Sequence, residues 1–316
     1  MDQRFHFHVE TWRCLDGHTW LDNVTIEGRD EPLSMLVAKP WAEPGFERGK
    51  IEGKAERPME RESALFRILA NLEVDYDAIQ GFADQYGLLY HDRIDGTSTY
   101  RGRHFRTQGT PWIDWRYNIL ALRHWVKVWD LICEDDSRGL LAYIQSLDDW
   151  AREIGAKDSD NPVPQFIGGT TGILESPARK RIEAAKYSLR YGLWESHLRT
   201  NLTVHLMYDQ PPRDRFRFML RGEDLLTAIW AQFAAAVADN KEYRQCETCG
   251  KPFELSPDVA RTNRQYCSTP CRLKAYRKRM RQAARLHDQG KSFKDIAERL
   301  ESDVKTVRGW IKQQEE

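Results

Sequence analysis

No stretch of the 316 residues is apolar for long enough to span a bilayer; the longest nearly apolar run, Ala228 to Ala238, is interrupted by Gln232. The start, Met1-Asp2-Gln3-Arg4-Phe5-His6, has neither the apolar core of a secretory signal nor the Arg/Ser character of a transit peptide. A soluble, cytoplasmic chain with no membrane partner is the expectation. Gly-x-Gly-x-x-Gly, the Walker lysine motif, His-Glu-x-x-His and Gly-x-Ser-x-Gly are all missing, which argues against the common nucleotide, metalloprotease and hydrolase chemistries. Net charge is missing too: 48 basic residues balance 48 acidic ones.

That balance conceals an asymmetry. Lys241 to Glu316 holds 18 Lys and Arg against 11 Asp and Glu, so residues 1–240 are acidic by the same margin. Between Val259 and His287 there are nine Lys/Arg and no carboxylate. A solvated helix face explains short or mixed-sign runs; a run of this length and single sign points to a polyanion, and nucleic acid is the one expected.

With 41% hydrophobic residues and eleven tryptophans the chain can bury a sizeable core. The periodicity predicts a mainly α fold with minor β. Strand alternation at Phe5 to Val9 places His6 and His8 on one face, where a metal pair is the less favoured reading. Helices are expected at Leu65 to Leu72, Asp75 to Gln85 (stopped by Gly87), Trp112 to Leu131, Leu140 to Ile154, Ala178 to Leu198 and Leu225 to Ala238. Pro40 to Pro58 and Ile94 to Gly109 read as loops, and Gly155 to Pro177, with Gly168-Gly169-Thr170-Thr171-Gly172, as a connector. Thr203 to Tyr208 and Arg215 to Leu220 read as a hairpin. Trp112, Trp115, Trp125 and Trp129 fit a core stripe better than a small-molecule pocket, although an effector pocket stays open. The expected organisation is a mostly helical sensor or assembly domain over 1–240, a four-cysteine zinc finger with a basic helix over 241–280, and a helix-turn-helix over 281–316.

Of six cysteines, Cys14 and Cys133 stand alone and read as small buried hydrophobes. The others form Cys246-x2-Cys249-x17-Cys267-x3-Cys271. Two thiolates three residues apart suit a tight knuckle, with Gly250 supplying unhindered backbone behind it. The second pair straddles a helix start, where Ser268 is a good cap and Pro270 suits the first turn. One structural Zn²⁺ on four thiolates is expected, its surplus negative charge offset by helix amides and by Arg261, Arg264 and Arg272. Two disulfides are the alternative.

The runs Cys246-Glu247-Thr248-Cys249-Gly250-Lys251-Pro252-Phe253 and Arg264-Gln265-Tyr266-Cys267-Ser268-Thr269-Pro270-Cys271-Arg272-Leu273-Lys274-Ala275-Tyr276-Arg277 resemble bacterial treble-clef zinc fingers. They also look related to the CGNR-type finger, which commonly follows a helical stress-response regulator domain. Arg-Leu-Lys follows Cys271 where that family has Gly-Asn-Arg, and the second cysteine pair is one residue closer. The resemblance covers about 35 residues and implies a metal-pinned fold in a transcription regulator.

Beyond the finger, Arg272 to Gln289 reads as one helix, with Leu273, Tyr276, Met280, Ala284 and Leu286 on an apolar stripe. Arg272, Lys274, Arg277, Lys278, Arg279, Arg281 and Arg285 cover the rest, as phosphate contacts. Gly290 stops it. Ser292 is expected to cap a second helix and Ser302 a third, resembling a helix-turn-helix of the resolvase or sigma-factor kind. The third would turn Lys305, Thr306, Arg308 and Lys312 toward bases and phosphates. The whole predicts a DNA-binding, non-enzymatic transcription regulator on double-stranded DNA, with a homodimer and a small-molecule effector as further partners. The rivals are an RNA-binding or protein-interaction adaptor and a nucleic-acid-processing enzyme.

Overall fold

Helices make up most of the described chain. The computed structural model describes residues 6–8, 11–26, 31–39, 53–56, 61–90, 97–100, 103–106, 109–155, 170–199, 201–209, 215–222, 224–255 and 263–315. Two units result, Met1–Asn240 and Lys241–Glu316. No described helix is long and apolar enough to cross a membrane.

In the first unit, helices α1 (Leu65–Ala70), α2 (Tyr76–Tyr86), α3 (Trp112–Cys133) and α4 (Ser137–Gly155) come first. Then follow α5 (Thr171–Glu175), α6 (Arg181–Tyr191), a π-helical segment Gly192–Leu198 and α7 (Leu225–Ala238). Asp75 and Asp224 cap α2 and α7 by accepting the amides of Ala78 and Thr227, each at 2.8 Å. Most of the expected stripe on α3 is buried: Trp115, Trp125 and Trp129 face the core together with Ile119 and Leu122, whereas Trp112 is half-buried and stacks on Tyr76 with centroids 4.4 Å apart. Phe66 of α1 stacks on Phe233 of α7, with centroids 5.1 Å apart, and Trp129 meets Phe233 edge-on at 5.7 Å. Gln232, the polar break in the apolar α7, has a definite task. Its Nε2 donates to the Glu62 carbonyl at 2.8 Å, while its Oε1 accepts from the Phe66 amide at 3.1 Å. Arg67 lies over the Trp129 ring and pairs Asp130 through two nitrogens at 2.6 and 3.1 Å.

Ten strands among the described residues also belong to this unit: β1 (His6–His8), β2 (Thr11–Cys14), β3 (His18–Ile26), β4 (Leu33–Ala38), β5 (Gly53–Glu56), β6 (Thr97–Tyr100), β7 (Arg103–Arg106), β8 (Thr110–Pro111), β9 (Leu202–Asp209) and β10 (Arg215–Gly222). Antiparallel pairing gives a sheet in the order β7-β6-β3-β4-β8, and β2 pairs with β5. Leu21, Val24, Ile26, Met35 and Val37 form its apolar face. A bulge falls between Leu21 and Val24, where Asn23 takes a left-handed φ of 61°. The expected hairpin is present as β9 and β10, and β1 joins β10 in parallel.

The sheet corrects part of the sequence reading. Ile94 to Gly109 contains β6 and β7 rather than a loop, and Pro40 to Pro58 contains β5. Thr97-Ser98-Thr99-Tyr100 is suited to strands by its β-branched and aromatic residues but carries no apolar alternation. Most of the expected connector, 156–169, lies outside the described residues. Cys14 is buried as expected, whereas Cys133 is exposed, its thiol directed to Asn240 Oδ1 at 3.9 Å.

In the second unit, β11 (Tyr243–Gln245) and β12 (Pro252–Glu254) form a hairpin. After it come α8 (Thr269–Asp288), α9 (Phe293–Arg299) and α10 (Val304–Glu315). Ala283, Leu286, Ile296, Ala297, Leu300, Val307, Trp310 and Ile311 form the core of these three helices. The buried stripe on α8 passes through Ala283 rather than Ala284, and Leu273 is exposed. Ser268 and Ser292 cap α8 and α9 as expected. The cap of α10 is Asp303, one residue later than Ser302, whose carboxylate accepts the Thr306 amide at 2.7 Å. α8 runs through residue 280 without a break, so one helix serves both the cysteine cluster and the three-helix core.

Candidate metal centre and basic face

The hairpin brings the first cysteine pair into place. Cys246 donates its amide to the Lys251 carbonyl at 2.9 Å and accepts from the Gly250 amide at 2.8 Å. Gly250 completes this tight turn at a φ of 71°. The second pair comes from the start of α8: the Ser268 hydroxyl accepts from the Cys271 amide, so Cys267 and Cys271 stand one turn apart. Two cross-links hold the halves together. Thr248 Oγ1 donates to the Cys271 carbonyl at 3.0 Å, and the Glu247 amide to the Gln265 carbonyl at 3.2 Å. Arg264 stacks over Phe253 and donates to the Tyr266 carbonyl at 2.7 Å and to the Cys267 carbonyl.

All four sulfurs lie within 4.8 Å of one another. Cys267 Sγ is 3.6 Å from Cys249 Sγ and 3.5 Å from Cys271 Sγ. All four are free cysteines, so they are not joined as two disulfides. Four thiolates bound at about 2.3 Å around a tetrahedral ion would stand about 3.8 Å apart, close to the observed separations. The cluster can therefore hold a metal ion. Burial pushes the Cys246 thiol up, but the amides of Cys267, Cys249 and Thr248 outweigh it and bring the thiol down to about 6. Burial pushes Cys267 up to about 12, with the crowd of neighbouring thiols adding to it against the pull of the Ser268 hydroxyl. Burial also raises Cys249. An arriving ion displaces those protons. Of the three arginines expected to balance the charge, Arg264 sits against the cluster and Arg272 is exposed nearby on α8; Arg261 lies outside the described residues.

From this cluster α8 carries its cations outward. Lys274, Arg277, Lys278, Arg281 and Arg285 are all exposed. Their spacing places them on one stripe, opposite Tyr276, Met280, Ala283 and Leu286. Arg272, though exposed, falls on a different side of the helix, and Arg279 is half-buried beside the apolar face. On α10, Lys305, Arg308 and Lys312 are exposed on the side away from Val307, Trp310 and Ile311. The Arg308 guanidinium rests over the Phe293 ring, 5.4 Å from its centroid. Thr306 is half-buried and donates its hydroxyl to Asp303 at 2.7 Å, which leaves an acceptor and a methyl to offer a partner. These two bonds lower the Asp303 carboxyl below its usual range.

Sequence reasoning missed a second feature, in the first unit. A cleft of about 250 Å³ is lined by Tyr90, Asp114, Tyr117, Asn118, His197, Asn201, Leu226, Thr227 and Trp230. The buried Trp115, Trp125 and Trp129 of α3 are not part of its lining. The one local signal was Asn118, a polar residue inside an otherwise apolar helical pattern. No protein-family model, curated protein or solved structure matches the chain.

Proposed function

We propose that this chain is a DNA-binding transcription regulator. In this reading Lys241–Glu316 is a zinc-pinned module that grips double-helical DNA, and Met1–Asn240 senses a signal or mediates assembly. The observation that carries it is the stripe of Lys274, Arg277, Lys278, Arg281 and Arg285 on the solvent side of a helix anchored at the cysteine cluster. Five cations spaced over three turns, with no carboxylate between Lys274 and Arg285, suit a row of phosphates. Four thiolates at tetrahedral spacing favour Zn²⁺ and fill every coordination position, which makes the metal structural rather than catalytic.

The short turn between α9 and α10 supports the same reading. It resembles a helix-turn-helix, in which α10 would be the element entering the major groove with Lys305, Arg308 and Lys312 outward. A single module of this kind reads a short half-site, so a homodimer on a two-fold operator is part of the proposal.

Fluorescence anisotropy on the full chain, with duplex DNA, single-stranded DNA and RNA of one sequence, tests the reading. The duplex should bind tightest, and Lys305→Ala combined with Arg308→Ala should weaken it by about tenfold or more. Preference for RNA, or duplex binding indifferent to both substitutions, overturns it.

A further inference from the structure

Three large rings stand in water on α6 and the π-helical segment after it, where a surface helix ordinarily carries polar side chains. Tyr187, Tyr191 and Trp194 are 65%, 53% and 51% exposed. Their spacing of three and four residues places them on one side of the helix, opposite the buried Ala185, Ser188 and Leu189. Gly192 marks the packed side, since a Cβ there would collide with Trp125 Cζ2 of α3. A single exposed ring is ordinary; three on one short face mark a surface that a partner covers.

The charge around the rings says which partner. Residues 178–194 hold five Lys and Arg against one carboxylate, Glu183, inside a unit that is acidic as a whole. Arg179, Lys180, Lys186 and Arg190 are exposed. Lys186 precedes Tyr187 and Arg190 precedes Tyr191, so each cation adjoins a ring. The Arg190 guanidinium rests over Tyr187, 5.7 Å from the ring centroid, which holds the charge at the aromatic surface. Tyrosine, tryptophan and arginine also anchor protein interfaces, but lysine is depleted there. Cations interleaved with open rings match a polyanion that has flat faces of its own.

We propose that this face binds single-stranded nucleic acid, with unpaired bases stacked on Tyr187, Tyr191 and Trp194 and backbone phosphates held by Lys186 and Arg190. In a duplex the bases stack on one another and their faces are closed, so the single strand is the form that fits. From Tyr187 to Trp194 the helix rises by about 10 Å, room for about two or three bases. Every base has a flat face, so the contact tolerates any sequence. The site belongs to the first unit and does not rest on the regulator reading, which concerns duplex DNA and the second unit.

Fluorescence anisotropy tests this on the full chain with Lys274, Arg277, Lys278, Arg281 and Arg285 replaced by glutamine, which removes the second unit's competing cations. Labelled oligothymidylate and oligouridylate of about twelve nucleotides should bind with a Kd below about 10 μM at low salt, at least about tenfold tighter than a duplex of equal length. Trp194→Leu keeps an apolar side chain but loses the ring. It should weaken single-strand binding by about tenfold and remove most of the tryptophan quenching that accompanies it. Lys186→Gln with Arg190→Gln should flatten the salt slope by about 1.4. All three positions are exposed, so the melting temperature should stay that of the parent. Failure of both strands to bind, a duplex bound as tightly as they are, or an affinity indifferent to Trp194→Leu overturns the assignment. So does a dimer in sedimentation that Trp194→Leu dissociates while both strands stay unbound, which gives the face to a second copy. Duplex binding by the unsubstituted chain is a separate measurement, so failure here and failure of the regulator reading are distinct results.

Discussion

Tyr276 and Trp310 meet edge to face, with ring centroids 5.8 Å apart and planes at 82°. Tyr276 is little more than one turn beyond Cys271, and Trp310 sits on the inner side of α10. The contact therefore ties the helix that leaves the cysteine cluster to the helix proposed to read DNA. Trp310 is 4% exposed, so Trp310→Ala should destabilise the second unit by about 3–5 kcal/mol. A double-mutant cycle with Tyr276→Ala should return a coupling of about 0.5–1.5 kcal/mol in denaturant titrations. Additive losses would mean that the two rings touch without communicating.

The cysteine cluster should contain about one metal ion per chain, and Cys267→Ser should lose it, as read by metal analysis. Cys249 is raised and Cys267 stands at about 12, both through burial first, so each carries a proton at neutral pH until a metal takes its place. Uptake should release at least those two protons. Zinc affinity measured by chelator competition should accordingly fall by about a hundredfold for each unit that pH is lowered below 8. An affinity that stays level from pH 8 to 6 would contradict thiol ligation.

His124 gives the first unit an acid sensitivity of its own. It is buried against Trp125, beside the Tyr143 hydroxyl at 3.2 Å, and burial lowers its pKa from 6.5 to about 3. Between those values the unfolded chain takes up a proton that the folded chain refuses. Stability from this group is therefore complete above about pH 6.5 and declines by about 1.4 kcal/mol per unit as pH falls toward 3. Urea titrations at pH 7, 5 and 4 should show that decline, and His124→Gln should remove this part of the slope. A variant as acid-sensitive as the parent would assign the effect elsewhere.

What could be read from the chain was what lies close together along it. The spacing of Cys246, Cys249, Cys267 and Cys271 declared its cluster because each pair is local and both join at one hairpin and one helix start. Trp115, Ile119, Leu122 and Trp129 announced a helix for the same reason, since one face repeats over many turns. Ser268 and Ser292 marked their helix starts through bonds only three residues long. The strands of the first unit were harder. Thr97–Tyr100 owes its place to pairing with Thr25 and Ile26, more than seventy residues away, and nothing in its own composition encodes that partner. The cleft was less legible still. Asn118, Asn201 and Trp230 arrive on separate elements, and the π-helical winding that presents His197 depends on Gly192 fitting under Trp125, a contact across the fold.

The regulator reading is tested most directly by the salt dependence of duplex binding. Each phosphate neutralised should contribute about −0.9 to the slope of log K against log salt. Lys274, Arg277, Lys278, Arg281 and Arg285 together should contribute about −4.5. Anisotropy titrations from low to physiological salt should give a slope at least that steep for the native chain, and one shallower by about 4.5 when all five are replaced by glutamine. Absence of duplex binding at low salt, or an equal slope in the two proteins, would contradict the account.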